Sequence, residues 1–466
     1  MQGRIIMTEK HKHFWLYGSY AIAIFLLIAP TISKAQESPF DYSGSESIET
    51  SIWDDDFYEE EKPLDYTGKL WERSTLTGDW GGKRNELAQK GITFKSTVTQ
   101  IYQSNFTDGS NDRRYGRYSG SADYEMNLDF GKMGLWPGGF LKVRGMTGLR
   151  KSLNSKAGSI MSVNSNALFP SPDGKDTALT DFLFMQFLSE NFGLLVGKMN
   201  TLDDGDVNEF AHSYNTQFLN TALLINPVTF LTSPYSTFGI GALLFNEVAT
   251  YTFSVIDTEE SATNSGSGTV FHNGTTVASQ LRFKTCIAGR PGHQLFGGTW
   301  SNKKYDALKQ DPRTLLGAIL LPNRGMPLKT QNGSWCFYYN MDHYLYLKEG
   351  TLDQGVGVFA RYGVSDGKAN LFKYFASLGI GGKGIIPGRD QDTFGIGYYH
   401  VWFSDRLPNF VYRRLIDKHE NGGELYYNVA LSPWLHLTPS LQVIQSGLKS
   451  VNNSVVVGGL RLVIDL

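Results

Sequence analysis

The chain has 466 residues, a net charge of −2, 51 glycines, 41% hydrophobic residues and 13% aromatic ones. The near-neutral balance argues against a nucleic-acid partner. An ordinary apolar fraction with a single long apolar run argues against a bundle of membrane helices. Two cysteines and nine histidines, scattered without ligand spacing, make no metal site, and no cofactor is expected.

The apolar run is N-terminal. Arg4, Lys10 and Lys12 form a basic start and "FWLYGSYAIAIFLLIA" (14–29) the hydrophobic stretch, which Pro30 breaks. Ser33 and Ala35 put small residues at the −3 and −1 positions of a cleavage site. The pattern predicts a signal peptide over residues 1–35, with Met7 as an alternative start and an uncleaved anchor as the competing reading. Cleavage after Ala35 leaves 466 − 35 = 431 residues. Residues 36–70 are acidic, Ser-rich and aperiodic, which reads as a mobile leader; docking on a basic partner or the cell wall is the functional alternative.

Residues 71–92 hold a short helical segment. In "LTGDWGGKRNELAQKGITF" (76–94), Asp79 can cap a helix running roughly from Gly82 to Lys90, Arg84, Glu86, Leu87, Ala88 and Gln89 favour it, and Gly91 suits its end. One reading is a periplasmic cap that covers the end of a barrel. The other is a plug or brace at the barrel mouth with Trp80 as anchor.

From residue 93 to 466 the chain reads as strands and turns. Tyr124, Met126, Leu128 and Phe130 alternate with Glu125, Asn127 and Asp129, and Phe140, Lys142 and Arg144 with Leu141 and Val143. Trp335, Phe337, Tyr339 and Met341 alternate with Cys336, Tyr338, Asn340 and Asp342. The last strand sets Leu460, Leu462, Ile464 and Leu466 against Arg461, Val463 and Asp465. Strand side chains repeat every second residue, so one face suits an apolar solvent and the other water. A soluble sandwich shares that alternation. The length of unbroken strand pattern, the aromatics near strand ends ("WCFYY", "GYYHVWF") and the terminal strand without a tail favour a membrane barrel. In hydrocarbon an open sheet edge leaves backbone groups unsatisfied, so the sheet must close on itself. At about 23 residues per strand with half its connections, the pattern predicts about 16 antiparallel strands around an aqueous lumen. The fold class is thus all-β: a transmembrane antiparallel β-barrel with a short N-terminal helix.

Five stretches resemble the carbohydrate-selective porins of the OprB type, from Gram-negative outer membranes. They are "LTGDWGGKRNELAQKGITF", "LLVGKMNTLDD" with "FLN" (218–220), "GVGVFARYGVSDGKAN", "LGIGGKGIIPGRDQDTFGIGYY" and "GELYYNVALSPWLHLTPSLQVI", in the family's order. The resemblance implies a sugar-conducting barrel of approximately 16 strands in the outer membrane. The acidic leader, the terminal Leu466 where such barrels often end in Phe, and the stretch from Gly268 to Lys304 depart from the pattern.

No catalytic set stands out, and no enzyme is expected. The partners expected are mono- or oligosaccharides and outer-membrane lipid, with no nucleic acid; monomer or homo-oligomer stays open, monomer favoured. Glu125, Asp129, Lys142, Arg144, Arg361 and Glu424 are candidates to line a constriction, because carboxylates and guanidinium forks can hydrogen-bond sugar hydroxyls. Tyr338, Tyr426 and Trp402 are candidates to pack on a sugar ring. The competing reading makes these charges ordinary solvated lumen residues that pair with each other. "IIPGRDQD" reads as a turn held by Arg389 with Asp390 or Asp392. Cys286 and Cys336 can bridge after export or stay as two thiols. The leading function is passive, sugar-preferring diffusion. The alternatives are a general porin for small polar solutes and ions, and a secreted β-protein outside any membrane.

Overall fold

A computed structural model describes residues 66–107, 115–149, 151–169, 177–202, 205–314, 328–449 and 454–466. The expected signal peptide and all but the last residues of the expected leader lie outside the described residues. No helix among the described residues is long and apolar enough to cross a membrane.

Sixteen antiparallel strands form one closed barrel, each paired with its neighbours in sequence. They are β1 (Ile92–Thr107), β2 (Gly116–Asp129), β3 (Gly139–Leu149), β4 (Thr177–Ser189), β5 (Phe192–Asn200), β6 (Ser236–Phe245), β7 (Ala249–Asp257) and β8 (Thr275–Ile287). Then come β9 (Arg290–Asp306), β10 (Thr330–Leu347), β11 (Gly355–Ser365), β12 (Phe372–Lys383), β13 (Thr393–Phe403), β14 (His419–Ser432), β15 (Leu435–Gln445) and β16 (Ser454–Asp465). β1 closes the barrel against β16, with Val98 opposite Ile464 and Ile101 opposite Arg461. The meander leaves no edge, as a sheet in hydrocarbon requires.

The connections differ at the two ends. Residues 190–191, 246–248, 288–289 and 433–434 make tight turns at one end, while the connections from β3 to β4, β5 to β6 and β9 to β10, at the other end, are long. Short turns mark the periplasmic end of such barrels and long loops the outer end. The predicted alternation is visible strand by strand. On β16 Arg461 is 0% exposed and faces inward, whereas Leu460 is 47% exposed on the outer face. On β2 Tyr124 is exposed outward, and Asp123 and Ser121 are buried inside.

Helix α1 (Lys83–Gln89) lies at the periplasmic rim, just before β1. Gly82 holds its N-cap position in a left-handed conformation and makes no side-chain cap; Asp79 instead accepts the Asn85 N–H at 2.9 Å. Gly91, at φ +80°, turns the chain into β1. Trp80, the anchor of the plug reading, is 45% exposed, whereas Arg84 is buried. Buried Arg84 donates to Thr75 Oγ1 (2.9 Å), to Leu466 O (3.0 Å) and to Phe94 O (2.8 Å). It thereby joins the N-terminal segment, the first strand and the chain end. Trp71 stacks on Trp434 at 5.5 Å on the same rim.

Candidate functional site

Loops enter the lumen and pack on one side of it. The β5–β6 loop, residues 201–235, folds inward and packs Phe210, Phe218, Leu223 and Val228 against Phe359, Phe375, Tyr399, Phe403 and Tyr426 of the barrel wall. This makes an apolar core inside the barrel on its β10–β14 side. Inward-facing glycines make room for it: a Cβ on Gly357 would strike the Phe210 ring, and one on Gly363 would strike Asn226. The β3–β4 loop also turns inward, burying Leu153, Met161 and Val163.

An irregular loop inside a barrel carries backbone groups with no ladder partner, so the wall must satisfy them. Arg361 does so from β11. It pairs with Asp206 (Nε to Oδ2, 2.9 Å) and donates to the carbonyls of Leu223 (3.0 Å) and Ala211 (2.5 Å). Arg461 donates to the carbonyls of Tyr214 and Gln217, both at 2.7 Å. Glu424 accepts the N–H groups of Leu219 and Asn220. The sequence reading of Arg361 and Glu424 as constriction charges is therefore corrected: both lie buried beneath the loop and are occupied by its backbone. Tyr338 and Tyr426 are also beneath it. Tyr338 donates to Gln280 at 3.1 Å, and Tyr426 meets the Phe218 ring at 4.8 Å. Trp402 is on the outer face, 40% exposed and 4.1 Å from the His400 ring, so it points away from the lumen. Asp129 ends β2 and accepts the N–H groups of Gly131 and Lys132, which makes it a turn residue.

The other three charges stand on the opposite, β1–β4 wall. A cavity of about 290 Å³ is bounded there by Lys95, Thr97, Asp123, Glu125 and Arg144 of the wall, and by Asn166, Tyr214 and Asn215 of the two loops. Arg144 donates to Asp123 Oδ1 (3.2 Å) and to the Tyr214 hydroxyl (2.8 Å), and that hydroxyl lies 3.4 Å from Asp123. Burial pushes the Tyr214 hydroxyl above its ordinary pKa, with the Asp123 charge adding to it, so it stays a neutral donor. Glu125 lies opposite Arg144 in register, 3.9 Å from the Lys142 ammonium, and accepts from Asn127 at 2.9 Å. Carboxylates, cations and amides thus border one cavity.

Sequence reasoning missed Lys95, Asp123 and Tyr214. The first two were within reach, since Asp123 precedes Glu125 by two residues on one strand and Lys95 shares its face with Thr97 and Thr99. Tyr214 had no signal, because no strand period places a loop residue. The "IIPGRDQD" turn is closed by Arg389, which forks onto both oxygens of Asp392 at 2.8 Å.

The cysteines are free: Cys286 is exposed and Cys336 buried. Across β9, Cys286 lies opposite Pro291 and Cys336 opposite Thr299, eight residues along the strand. That separation is about 27 Å at strand rise, against a Cα distance of about 4.4–6.8 Å for a disulfide. Among the described residues no group of His, Cys, Asp and Glu can hold a metal.

A sixteen-stranded barrel with an apolar outer face and loops folded into its lumen is a multi-pass channel of the outer membrane, a porin. More particularly, residues 113–466 match the carbohydrate-selective porin, OprB family. The chain belongs to that family, and it is a sugar-preferring outer-membrane porin. It is 26% identical over 428 residues to Porin B of Pseudomonas aeruginosa, covering 82% of this chain and 89% of that protein. It is 22% identical over 436 residues to the putative porin QuiX of Acinetobacter baylyi, covering 83% of this chain and 92% of that one. The high-pH structure of Pseudomonas putida OprB superposes with a TM-score of 0.73 at 20% identity, over 86% of this chain and 100% of that one.

Proposed function

We propose that carbohydrates cross this barrel along its β1–β4 wall, through an eyelet formed by Lys95, Asp123, Glu125, Lys142 and Arg144 on one side and Tyr214, Asn215 and Asn166 on the other. The observation that carries this reading is the placement of the charged cavity on the wall opposite the apolar core of the β10–β14 side. Hydroxyl-rich solutes can exchange water for charge-assisted hydrogen bonds there, at little net gain per bond. Weak binding suits conduction, because a solute must leave as readily as it enters. A millimolar site, about 4 kcal/mol, fits that need. Transport in this reading is passive, without catalysis. The barrel acts as a monomer in outer-membrane lipid, after export by its N-terminal segment with cleavage after Ala35.

The test is Arg144→Ala in planar bilayers. Removing the fork between Asp123 and Tyr214 should weaken block of ion current by sugars about tenfold, the loss of about 1.4 kcal/mol. Unchanged block and conductance would take Arg144 out of the passage. Liposome swelling with sugars against amino acids of equal size measures the preference itself.

A further inference from the structure

Two carboxylates on β14, Glu420 and Glu424, sit four residues apart on its inner face and are 0% and 2% exposed. A buried carboxylate is costly unless donors surround it. Neither of these meets a sugar-accessible surface. Glu420 accepts the N–H groups of Ile160 (2.7 Å), Met161 (2.9 Å) and Gly447 (3.0 Å), and the hydroxyls of Ser159 (3.0 Å) and Tyr399 (3.3 Å). Glu424 takes the N–H of Leu219 on one oxygen (2.9 Å) and of Asn220 on the other (2.8 Å). So one strand holds two separate loops. Glu420 fastens the β3–β4 loop, which supplies Asn166 to the eyelet, and Glu424 fastens the β5–β6 loop, which supplies Tyr214 and Asn215.

We propose that Glu420 and Glu424 are positioning residues of the channel: hydrogen-bond-accepting clamps on loop backbone that set the width of the eyelet without touching the solute. This rests on the reading that the eyelet is the sugar path. The chemistry requires a carboxylate. Both oxygens of each group face donors, and a glutamine would turn an NH2 toward one of them, losing a bond and opposing two donors. The Arg361 and Arg461 forks serve the carbonyls of the same β5–β6 loop, but only Glu424 holds its N–H groups at Leu219 and Asn220.

The experiment compares the full mature chain with Glu420→Gln, Glu424→Gln and Arg144→Ala. It reads single-channel conductance, block of that current by sugars, and the size cut-off for neutral polyethylene glycols in liposome swelling. Each glutamine variant should raise conductance about twofold and admit larger polymers, with the heat-modifiable gel band retained. Parental conductance and cut-off in both would overturn the proposal. If Arg144→Ala leaves sugar block unchanged while the glutamine variants widen the channel, the sugar path is wrong but the clamps stand. If Glu424→Gln does not fold, Glu424→Asp, which keeps the carboxyl group and retracts it, is measured on the same terms. Failure of every variant to fold would assign the pair to barrel assembly and equally overturn the proposal.

Discussion

Arg361 and Arg461 are the largest fully buried side chains among the described residues, and both face the lumen. A cation out of water needs a carboxylate or a set of carbonyls, and Arg361 has both in Asp206 and the loop backbone. Breaking such a pair from one side leaves a bare buried charge, at a cost of about 3–5 kcal/mol. Arg361→Ala is therefore expected to loosen the β5–β6 loop, exposing it to protease in detergent where the parent resists. Asp392 makes a pH prediction. Burial works to raise its carboxyl pKa, but the Arg389 fork, the Tyr427 hydroxyl (2.7 Å) and the Ala430 N–H (2.9 Å) outweigh it and hold the value below the usual range. With a depressed folded value, the unfolded chain binds the proton more readily. The stabilisation is thus complete above the unfolded pKa of about 3.9 and disappears as pH falls through the folded value. Asp392→Asn should flatten the acid side of the gel-band melting temperature against pH; an unaltered acid limb would contradict this.

At the level of elements, closure depends on the periplasmic rim. The Leu76 N–H donates to Asp465 O and the Leu466 N–H to Ser96 O, both at 2.8 Å, and Arg84 spans all three segments. Hydrogen bonds from a charged donor contribute about 1.5–3 kcal/mol each. Arg84→Ala should lower the temperature at which the folded gel band converts, with Arg84→Lys restoring only part, because an ammonium lacks the planar fork. The strands were legible where one face met lipid and the other water, as on β2, β3 and β16. On β13 the run Tyr398, Tyr399, His400, Val401, Trp402 and Phe403 is bulky throughout, since its inner face packs on the loop while its outer face meets lipid. An apolar environment on both sides erases the alternation, and the phase of Trp402 could not be read. Arg361 and Glu424 were placed on the correct inward face, but their surroundings belong to a loop that has no period of its own.

For the whole molecule, the outer face makes a separate demand. Leu425 lies at the middle of β14 and is exposed outward, between the buried Glu424 and Tyr426. Arginine at such a midplane position costs about 2–4 kcal/mol in a membrane barrel. Leu425→Arg should therefore fold poorly into bilayers, as read by the heat-modifiable fraction, whereas equal folding would place that face away from lipid. The chain alone determined the class of fold, the approximate strand number and the inward residues of strands such as β2, β3 and β16, because a two-residue period against two solvents is a local property. Which inward charges border water and which are sealed under the loop was decided only by the tertiary structure. Residues 201–235 fill one side of the barrel through contacts with strands more than a hundred residues away, and no local pattern encodes that choice.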